Sequence, residues 1–192
     1  MPNNPPFYKS FLTIYLLKFL GAFVLLYYGT KAIIGLGTSG GFYIPFVHNY
    51  LDYISVFRAF LLYSSKGFLG LLGYPSAVIN SFSLQLINGR SVHLVYSCLG
   101  YGIISFWIAF VFANRGSIKK KAVWMFTGIL VICSINILRI CLLLLSLNKN
   151  WRFPLGLDHH TWFNIASYAV IFAGIYLYDR AATKHLLTTD GA

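Results

Sequence analysis

The feature that most constrains this chain is a long apolar run that contains a single arginine. Residues Ala122–Leu147 read AVWMFTGILVICSINILRICLLLLSL, and Arg139 is the one charged side chain among them. The run is long enough to cross a bilayer, which takes about 20 residues. An arginine inside such a span costs at least about 2.5 kcal/mol on insertion scales. We therefore expect Arg139 to have a specific structural or functional role.

Composition places the chain among membrane proteins. Of its 192 residues, 58% are hydrophobic and 10% are charged, whereas a soluble domain carries about 25% charged residues. The net charge of +11 comes from 15 Lys and Arg against four acidic residues. Because the basic residues flank apolar runs, membrane topology and anionic lipid headgroups explain them better than nucleic acid does. The lipid bilayer is therefore an expected partner, and nucleic acid is not.

The cysteines point to neither a disulfide framework nor a metal site. There are three, Cys98, Cys133 and Cys141, and they form no CxxC or Cys/His metal spacing. An odd, scattered set argues against paired disulfides. Cys133 and Cys141 lie inside the Arg139 span, where a cysteine usually serves as a small apolar side chain. We expect no metal and no cofactor.

The predicted fold is an all-α polytopic membrane protein with about four transmembrane helices, an interfacial helical region and a small extracytoplasmic β-hairpin. The whole chain is expected to form one membrane domain. In order, its segments are a frayed N-terminus (1–10), a first span (11–36), the interfacial region (46–74), the hairpin (77–97), a second span (99–113), a third (122–147), a fourth (161–178) and a cytoplasmic tail (179–192). Charges scattered through 46–74 leave open whether that region lies at the interface or crosses the membrane.

The hairpin is predicted from a change of period. Ala77–Ile87 and Ser91–Tyr96 alternate between apolar and polar residues, with Asn88-Gly89 between them. Asn-Gly between alternating runs is the strongest short hairpin signal, since both central residues of the favoured turn take positive φ. Strand edges have no hydrogen-bond partners in lipid. We therefore expect the hairpin in water at one membrane face, or packed on the helices there.

The basic residues predict the orientation. The segment Asn114–Lys121 holds Arg115 and three consecutive lysines, and short loops rich in Lys and Arg face the cytoplasm. That assignment places both termini inside, and the hairpin and Cys98 on the outer face. The expected location is the inner (cytoplasmic) membrane, with the active site near its extracytoplasmic face.

Counting residues along the predicted helices places three kinds of functional group at the same membrane depth. At 1.5 Å per residue, Arg139 lies about 27 Å along its helix from Lys121, in the outer half of the bilayer. Cys98 begins the second span at the outer edge, and His159 and His160 directly precede the last span at the same edge. A thiol, an imidazole and a guanidinium are thus expected at one level on three helices.

Such a set supports acyl transfer. A thiolate is the nucleophile, a histidine moves protons near neutral pH, and a buried arginine can stabilise an oxyanion. Each residue also has a structural explanation. Cys98 can be an inert buried thiol, the two histidines can be interfacial polar residues, and Arg139 can form a structural ion pair. Asn136 lies on the same helical face as Arg139 and is a candidate hydrogen-bond partner. His93 is a rival base close to Cys98 in sequence.

Three short motifs follow one another along the chain. They are Ser97-Cys98-Leu99-Gly100, then Asn136-Ile137-Leu138-Arg139-Ile140, then Asp158-His159-His160. Their order and topology resemble the exosortase/archaeosortase family of membrane cysteine transpeptidases, as does the upstream run Leu69–Pro75. The resemblance covers roughly residues 55–180. The family commonly has Cys-Ser-Gly, and this chain has leucine in place of that serine. It also lacks the additional N-terminal spans of longer members, and so looks like a compact bacterial-type subtype.

The resemblance implies catalytic roles. Cys98 would be the nucleophile, His160 or His159 the base and acid, and Arg139 the group that stabilises the transition state. His160 is favoured because Asn164 would then occupy the later small-residue position of the family. Asn136 and Asn164 are the expected substrate-binding side chains.

The resemblance also implies a substrate class. The enzyme would be a cysteine protease-transpeptidase that cleaves the C-terminal sorting signal of exported proteins, a signal with its own membrane helix and basic tail. The acyl group would pass from a Cys98 thioester to an acceptor such as a glycan or a lipid. The alternative is a non-enzymatic membrane protein, either an assembly factor or a small transporter, with Arg139 as a structural or substrate counter-charge. No internal repeat of the kind seen in transporters is evident.

Overall fold

A computed structural model describes residues 7–37, 42–151 and 159–189, with side chains described for 12–37, 42–151 and 161–180. These ranges form helices and one small sheet, as expected of an all-α polytopic membrane protein. The elements are α1 (Phe7–Gly37), α2 (Pro45–Tyr50), α3 (Tyr53–Leu71), β1 (Ser76–Asn80), β2 (Ser83–Leu86), β3 (Ser91–His93), a 3₁₀ helix (Tyr96–Leu99), α4 (Tyr101–Ala113), α5 (Ile118–Lys149) and α6 (His159–Thr189).

Three of the described helices are long and apolar enough to cross a membrane. The apolar stretches are Leu12–Gly37, Ile118–Lys149 and Thr161–Arg180. Helix α4 has only 13 residues, which is about 20 Å against a hydrocarbon core of about 30 Å. The 3₁₀ helix directly precedes α4 and adds about 2 Å per residue. The second predicted span (99–113) is therefore a short helix preceded by irregular backbone, which a membrane protein tolerates only where protein covers it.

The predicted hairpin is part of a three-stranded antiparallel sheet with strand order β1-β2-β3. Asn88-Gly89 connects β2 to β3, as predicted, although only Asn88 takes a positive φ, of 59°. The sequence predicted one strand over Ala77–Ile87, and the structure divides it into β1 and β2. The division comes from a local turn, because the side-chain oxygen of Asn80 accepts a hydrogen bond of 2.9 Å from the Phe82 N–H. Asparagine favours such turns because its side chain replaces a backbone acceptor.

Asn148, near the end of α5, holds the β2–β3 turn. The Arg90 N–H donates to Asn148 Oδ1 at 2.6 Å. Asn148 Nδ2 in turn donates to the carbonyls of Arg90 at 3.3 Å and Leu144 at 2.7 Å. A Cβ on Gly89 would overlap the Asn148 side-chain oxygen, so glycine is required here by close approach rather than by φ. The sheet is thereby fixed to α5.

Helix α3 covers the other side of this sheet. Its N-cap is Asp52, whose side chain accepts a hydrogen bond of 3.0 Å from the Ser55 N–H. The Cys141 thiol donates to the Ser65 carbonyl at 3.6 Å, which joins α5 to α3. A core of fully buried leucines fills the space between α3, the sheet and α5. Its members include Leu61, Leu69, Leu84, Leu99 and Leu144, each 0% exposed.

An aromatic ladder joins α1 to α4. Tyr15, Phe19, Phe23 and Tyr27 recur every fourth residue, so they share one face of α1. Successive ring centroids are 6.4, 6.1 and 5.6 Å apart. The Phe106 ring meets Phe19 edge-on at 5.3 Å. This spacing and geometry are typical of favourable aromatic pairs.

Trp107 of α4 packs between α5 and α6. It is 4% exposed, and its indole N–H donates to the Trp124 carbonyl at 3.0 Å. A Cβ on Gly174 of α6 would lie 3.0 Å from the indole ring, and a Cβ on Gly128 of α5 would overlap it. Small residues let helices approach closely in membranes, and here they provide the space for a large ring.

This packing predicts that Gly128→Ala destabilises the protein. The added methyl group displaces a buried indole, and overpacking of this kind costs about 1–3 kcal/mol. The matched control is Gly21→Ala in α1, where nothing lies within 4 Å of the added Cβ and alanine favours the helix. Thermal unfolding in detergent should show a lower midpoint for Gly128→Ala and no loss for Gly21→Ala. Equal midpoints for the two variants would contradict the close packing of Trp107 against Gly128.

Candidate active site

Cys98 lies on the 3₁₀ helix, between the sheet and α4. Its N–H donates to the Val95 carbonyl at 2.9 Å, and the residue is half-buried. Gly100 follows with a φ of +77°, a conformation that glycine adopts without strain. The Cys-Leu-Gly sequence thus lets the chain turn sharply from the 3₁₀ helix into α4 directly after the thiol.

Asn136 of α5 fixes this turn. Its Nδ2 donates to the Leu99 carbonyl at 2.9 Å, and the side chain is 1% exposed. A Cβ on Gly100 would lie 3.4 Å from the same Nδ2. The bond holds the 3₁₀ helix against α5 at a defined height, and this brings the next turn of α5 alongside Cys98.

The residue on that next turn is Arg139. Its Nη2 donates to Cys98 Sγ at 3.6 Å, within the range of a hydrogen bond to sulfur. The guanidinium carbon lies 3.9 Å from the centroid of the Phe163 ring of α6, a cation–π geometry. The 3₁₀ helix, α5 and α6 therefore converge on one guanidinium group.

Together with α1 and α4, these three elements line a cavity of about 340 Å³, which we call the thiol cavity. Cys98 and Arg139 line it together with Phe163, Asn164 and Ser167 of α6. The Ser167 hydroxyl is buried and has no hydrogen-bond partner among the described residues. Tyr27, Ser97, Gly100, Tyr101, Gly102, Ile103 and Tyr168 complete the lining. The cavity thus offers a thiol, a cation and an amide to one ligand.

The structure therefore brings together three of the six residues proposed from sequence. Three of them, Cys98, Arg139 and Asn164, line the thiol cavity. Asn136 does not line it and instead bonds to the Leu99 carbonyl in the turn after Cys98. The other two, His159 and His160, are the first residues of α6. Their side chains lie outside the described part of the chain, so a short distance from either imidazole to Cys98 stays a prediction.

The rival base, His93, is engaged elsewhere. Its Nδ1 lies 3.0 Å from the Ser83 hydroxyl, and its ring stacks on Phe82 with centroids 5.6 Å apart. His93 does not line the thiol cavity. Among the described residues, no group of three His, Cys, Asp or Glu side chains is placed to hold a metal ion.

Two neighbours of the site were not found from sequence. One is Phe163, under the Arg139 guanidinium. The other is Arg58 of α3, which is 1% exposed and whose guanidinium carbon lies 4.0 Å from the Phe82 centroid and 4.7 Å from that of Tyr96. Tyr96 begins the 3₁₀ helix, so Arg58 holds the segment that leads to Cys98. Neither contact follows a local period, so no sequence pattern could have shown it.

The family model for transmembrane exosortases matches residues 6–182. The chain belongs to the transmembrane exosortase family. Exosortases are cysteine peptidase-like membrane transpeptidases that act in protein sorting. No curated protein and no solved structure matches the chain.

The site geometry predicts that Asn136→Ala destabilises this exosortase. The substitution leaves the buried Leu99 carbonyl without its donor, which costs about 1–3 kcal/mol. The matched control is Asn114→Ala, because Asn114 Nδ2 also donates to a carbonyl, that of Phe110, at 2.9 Å, but within its own helix end. Thermal unfolding should show the larger loss for Asn136→Ala. An equal or larger loss for Asn114→Ala would contradict the role of Asn136 in holding the Leu99 carbonyl.

Proposed function

We propose that this exosortase cleaves C-terminal sorting signals of exported proteins through a thioester on Cys98, and transfers the protein to an acceptor. The observation that supports this best is the 3.6 Å contact between Arg139 Nη2 and Cys98 Sγ inside a cavity. A thiol beside a fixed cation suits acyl transfer to sulfur, because the cation can stabilise the oxyanion that forms. The substrate class comes from the family.

The proposed orientation follows the basic residues. Arg115 lies between α4 and α5, and Lys119–Lys121 lie in the first turn of α5. We assign this end to the cytoplasm by the positive-inside rule. Arg139 is then about 27 Å away along α5, close to the outer boundary of a hydrocarbon core of about 30 Å. The thiol cavity would open near the extracytoplasmic face of the inner membrane, where an exported protein arrives.

In the first chemical step the Cys98 sulfur attacks the scissile carbonyl. His160, or His159, takes the thiol proton as the sulfur–carbon bond forms. The carbonyl electron pair moves to oxygen, and Arg139 donates hydrogen bonds to that oxyanion. The carbon–nitrogen bond then breaks, the histidine returns its proton to the leaving amine, and a thioester remains.

In the second step an acceptor attacks the thioester. An acceptor hydroxyl or amine, on a glycan or lipid, gives its proton to the histidine and bonds to the carbonyl carbon. The carbon–sulfur bond breaks, the sulfur regains the proton, and the free thiol of Cys98 is restored. Arg139 stabilises the same oxyanion in both steps. No redox change occurs in either step.

Arginine suits this role because it keeps its charge at depth and presents several donors in a fixed plane. The Phe163 ring supports one face of that plane, and the guanidinium edge contacts the Cys98 sulfur. Losing one oxyanion donor typically costs about 10²–10³ in rate. We therefore assign Arg139 a catalytic role rather than a structural one.

The two asparagines receive different roles. Asn164 lines the thiol cavity and is assigned to contact the substrate backbone. Asn136 is 1% exposed and donates to Leu99, so we assign it to positioning the Cys98 turn rather than to binding substrate. His160 precedes Asn164 by one helical turn in sequence, which favours it over His159 as the base.

Cleavage of a co-expressed substrate with a C-terminal sorting signal tests this proposal. Cys98→Ala should abolish processing because no nucleophile remains. The matched control is Cys133→Ala, which removes another thiol from the chain, 6% exposed on α5, and should process normally. Normal processing by Cys98→Ala would refute the proposal and favour the non-enzymatic alternative, with Arg139 as a counter-charge.

Arg139→Lys should lower the processing rate by about 10²–10³, because a lysine keeps the charge but loses the planar donors. Immunoblots should show the variant at wild-type abundance with uncleaved substrate accumulating. A loss of less than about threefold would contradict the oxyanion role.

A further inference from the structure

A second cavity continues directly from the thiol cavity. It has a volume of about 500 Å³ and lies between α1, α4 and α6. The two cavities share part of their lining, namely Tyr27, Gly102, Ile103 and Tyr168. We call the second cavity the membrane groove.

The membrane groove is apolar and opens sideways. Its remaining lining is aliphatic or aromatic, with no charged side chain, and consists of Phe23, Phe106, Ile171, Phe172 and Ile175. Tyr168 is 58% exposed and Phe172 is 70% exposed. In a bilayer these two side chains face the lipid phase, so a membrane-embedded segment can enter from the side without passing through water.

The groove has a direction relative to the thiol. Asn164 and Ile175 both belong to α6, and Ile175 lies about 16 Å farther along the helix axis. Asn164 lines the thiol cavity, whereas Ile175 approaches the level at which Tyr178 packs on Trp124. Trp124 is one turn of α5 from the basic residues at its start. The groove therefore leads from Cys98 toward the basic end of the bundle.

We propose that the membrane groove binds the apolar helix of the substrate that follows the scissile bond. This inference rests on the proposed function. With the scissile carbonyl at Cys98, the chain after it has to run inward, because a C-terminal membrane helix with a basic tail ends at the cytoplasmic face. The groove is the apolar path that leaves the thiol cavity in that direction.

The lining suits a helix as occupant. Helices associate in membranes through close van der Waals packing at small residues. Gly102 lets α4 pack in this way against α1, because a Cβ there would lie 3.3 Å from the Tyr27 ring, so the two helices form a close-packed wall of the groove. The groove thereby holds the leaving part of the substrate in the enzyme while the acyl part is on Cys98. Once the bond is cut, the helix leaves sideways into lipid.

Photocrosslinking with a matched pair of positions tests the groove. Benzoylphenylalanine replaces Phe172 of the groove or Phe126 of α5, two exposed phenylalanines at 70% and 64%, in the Cys98→Ala background with substrate co-expressed. The position 172 probe should form an adduct with the substrate, and the position 126 probe should form adducts with phospholipid only. Lipid adducts alone at both positions would overturn the proposal and make lipid the occupant of the groove.

A variant with active Cys98 separates this proposal from the catalytic one. Ile175→Trp fills the groove and should raise the KM for a membrane-embedded substrate about tenfold, with little change in kcat. Leu130→Trp, at an exposed position on α5, is the control and should leave KM unchanged. If cleavage requires Cys98 but Ile175→Trp has an unchanged KM and position 172 captures no substrate, the groove proposal fails while the proposed function stands.

Discussion

The hydrogen bond from Asn136 to the Leu99 carbonyl is the contact on which the geometry around Cys98 depends. Helix α4 has only 13 residues, and the chain enters it through the 3₁₀ helix, whose Leu99 is fully buried. A buried carbonyl without a hydrogen-bond donor is costly. Asn136 supplies the donor from α5, and the same contact sets the height of Arg139 beside the thiol. Glycine at position 100 is needed at the same point because its φ is positive.

Similar contacts, farther from the thiol, join the sheet and α3 to the rest of the helices. Asn148 fixes the β2–β3 turn to the end of α5. The Arg58 guanidinium contacts the rings of Phe82 and Tyr96, and so holds the start of the 3₁₀ helix. Each of these contacts joins an irregular segment to a long helix. The turn that carries Cys98 is therefore supported from several sides. The proposed nucleophile needs such support if its position is to match an incoming carbonyl.

The sequence was informative wherever the physical signal was local. The apolar runs predicted the membrane class, and the Asn88-Gly89 pair predicted the β2–β3 turn. Counting along one helix predicted Arg139 at the level of Cys98, because helical rise is constant. The turn at Asn80 was missed because an asparagine inside an alternating run reads as a strand residue. Three features were not predictable from the sequence: Phe163 stacks on Arg139, Arg58 is buried, and Trp107 packs between two glycines. They join residues far apart in sequence, and no period relates them.

Cys98 is proposed to carry the acyl group while Arg139 stabilises its oxyanion. Mass spectrometry of the wild-type enzyme, quenched in acid during turnover of a substrate with a C-terminal sorting signal, tests this most directly. The peptide containing Cys98 should carry the newly formed C-terminus of the exported protein, and neutral hydroxylamine should release it as a hydroxamate, as a thioester requires. Product formation with the adduct on another residue, or with a bond that resists hydroxylamine, would rule out a thioester on Cys98.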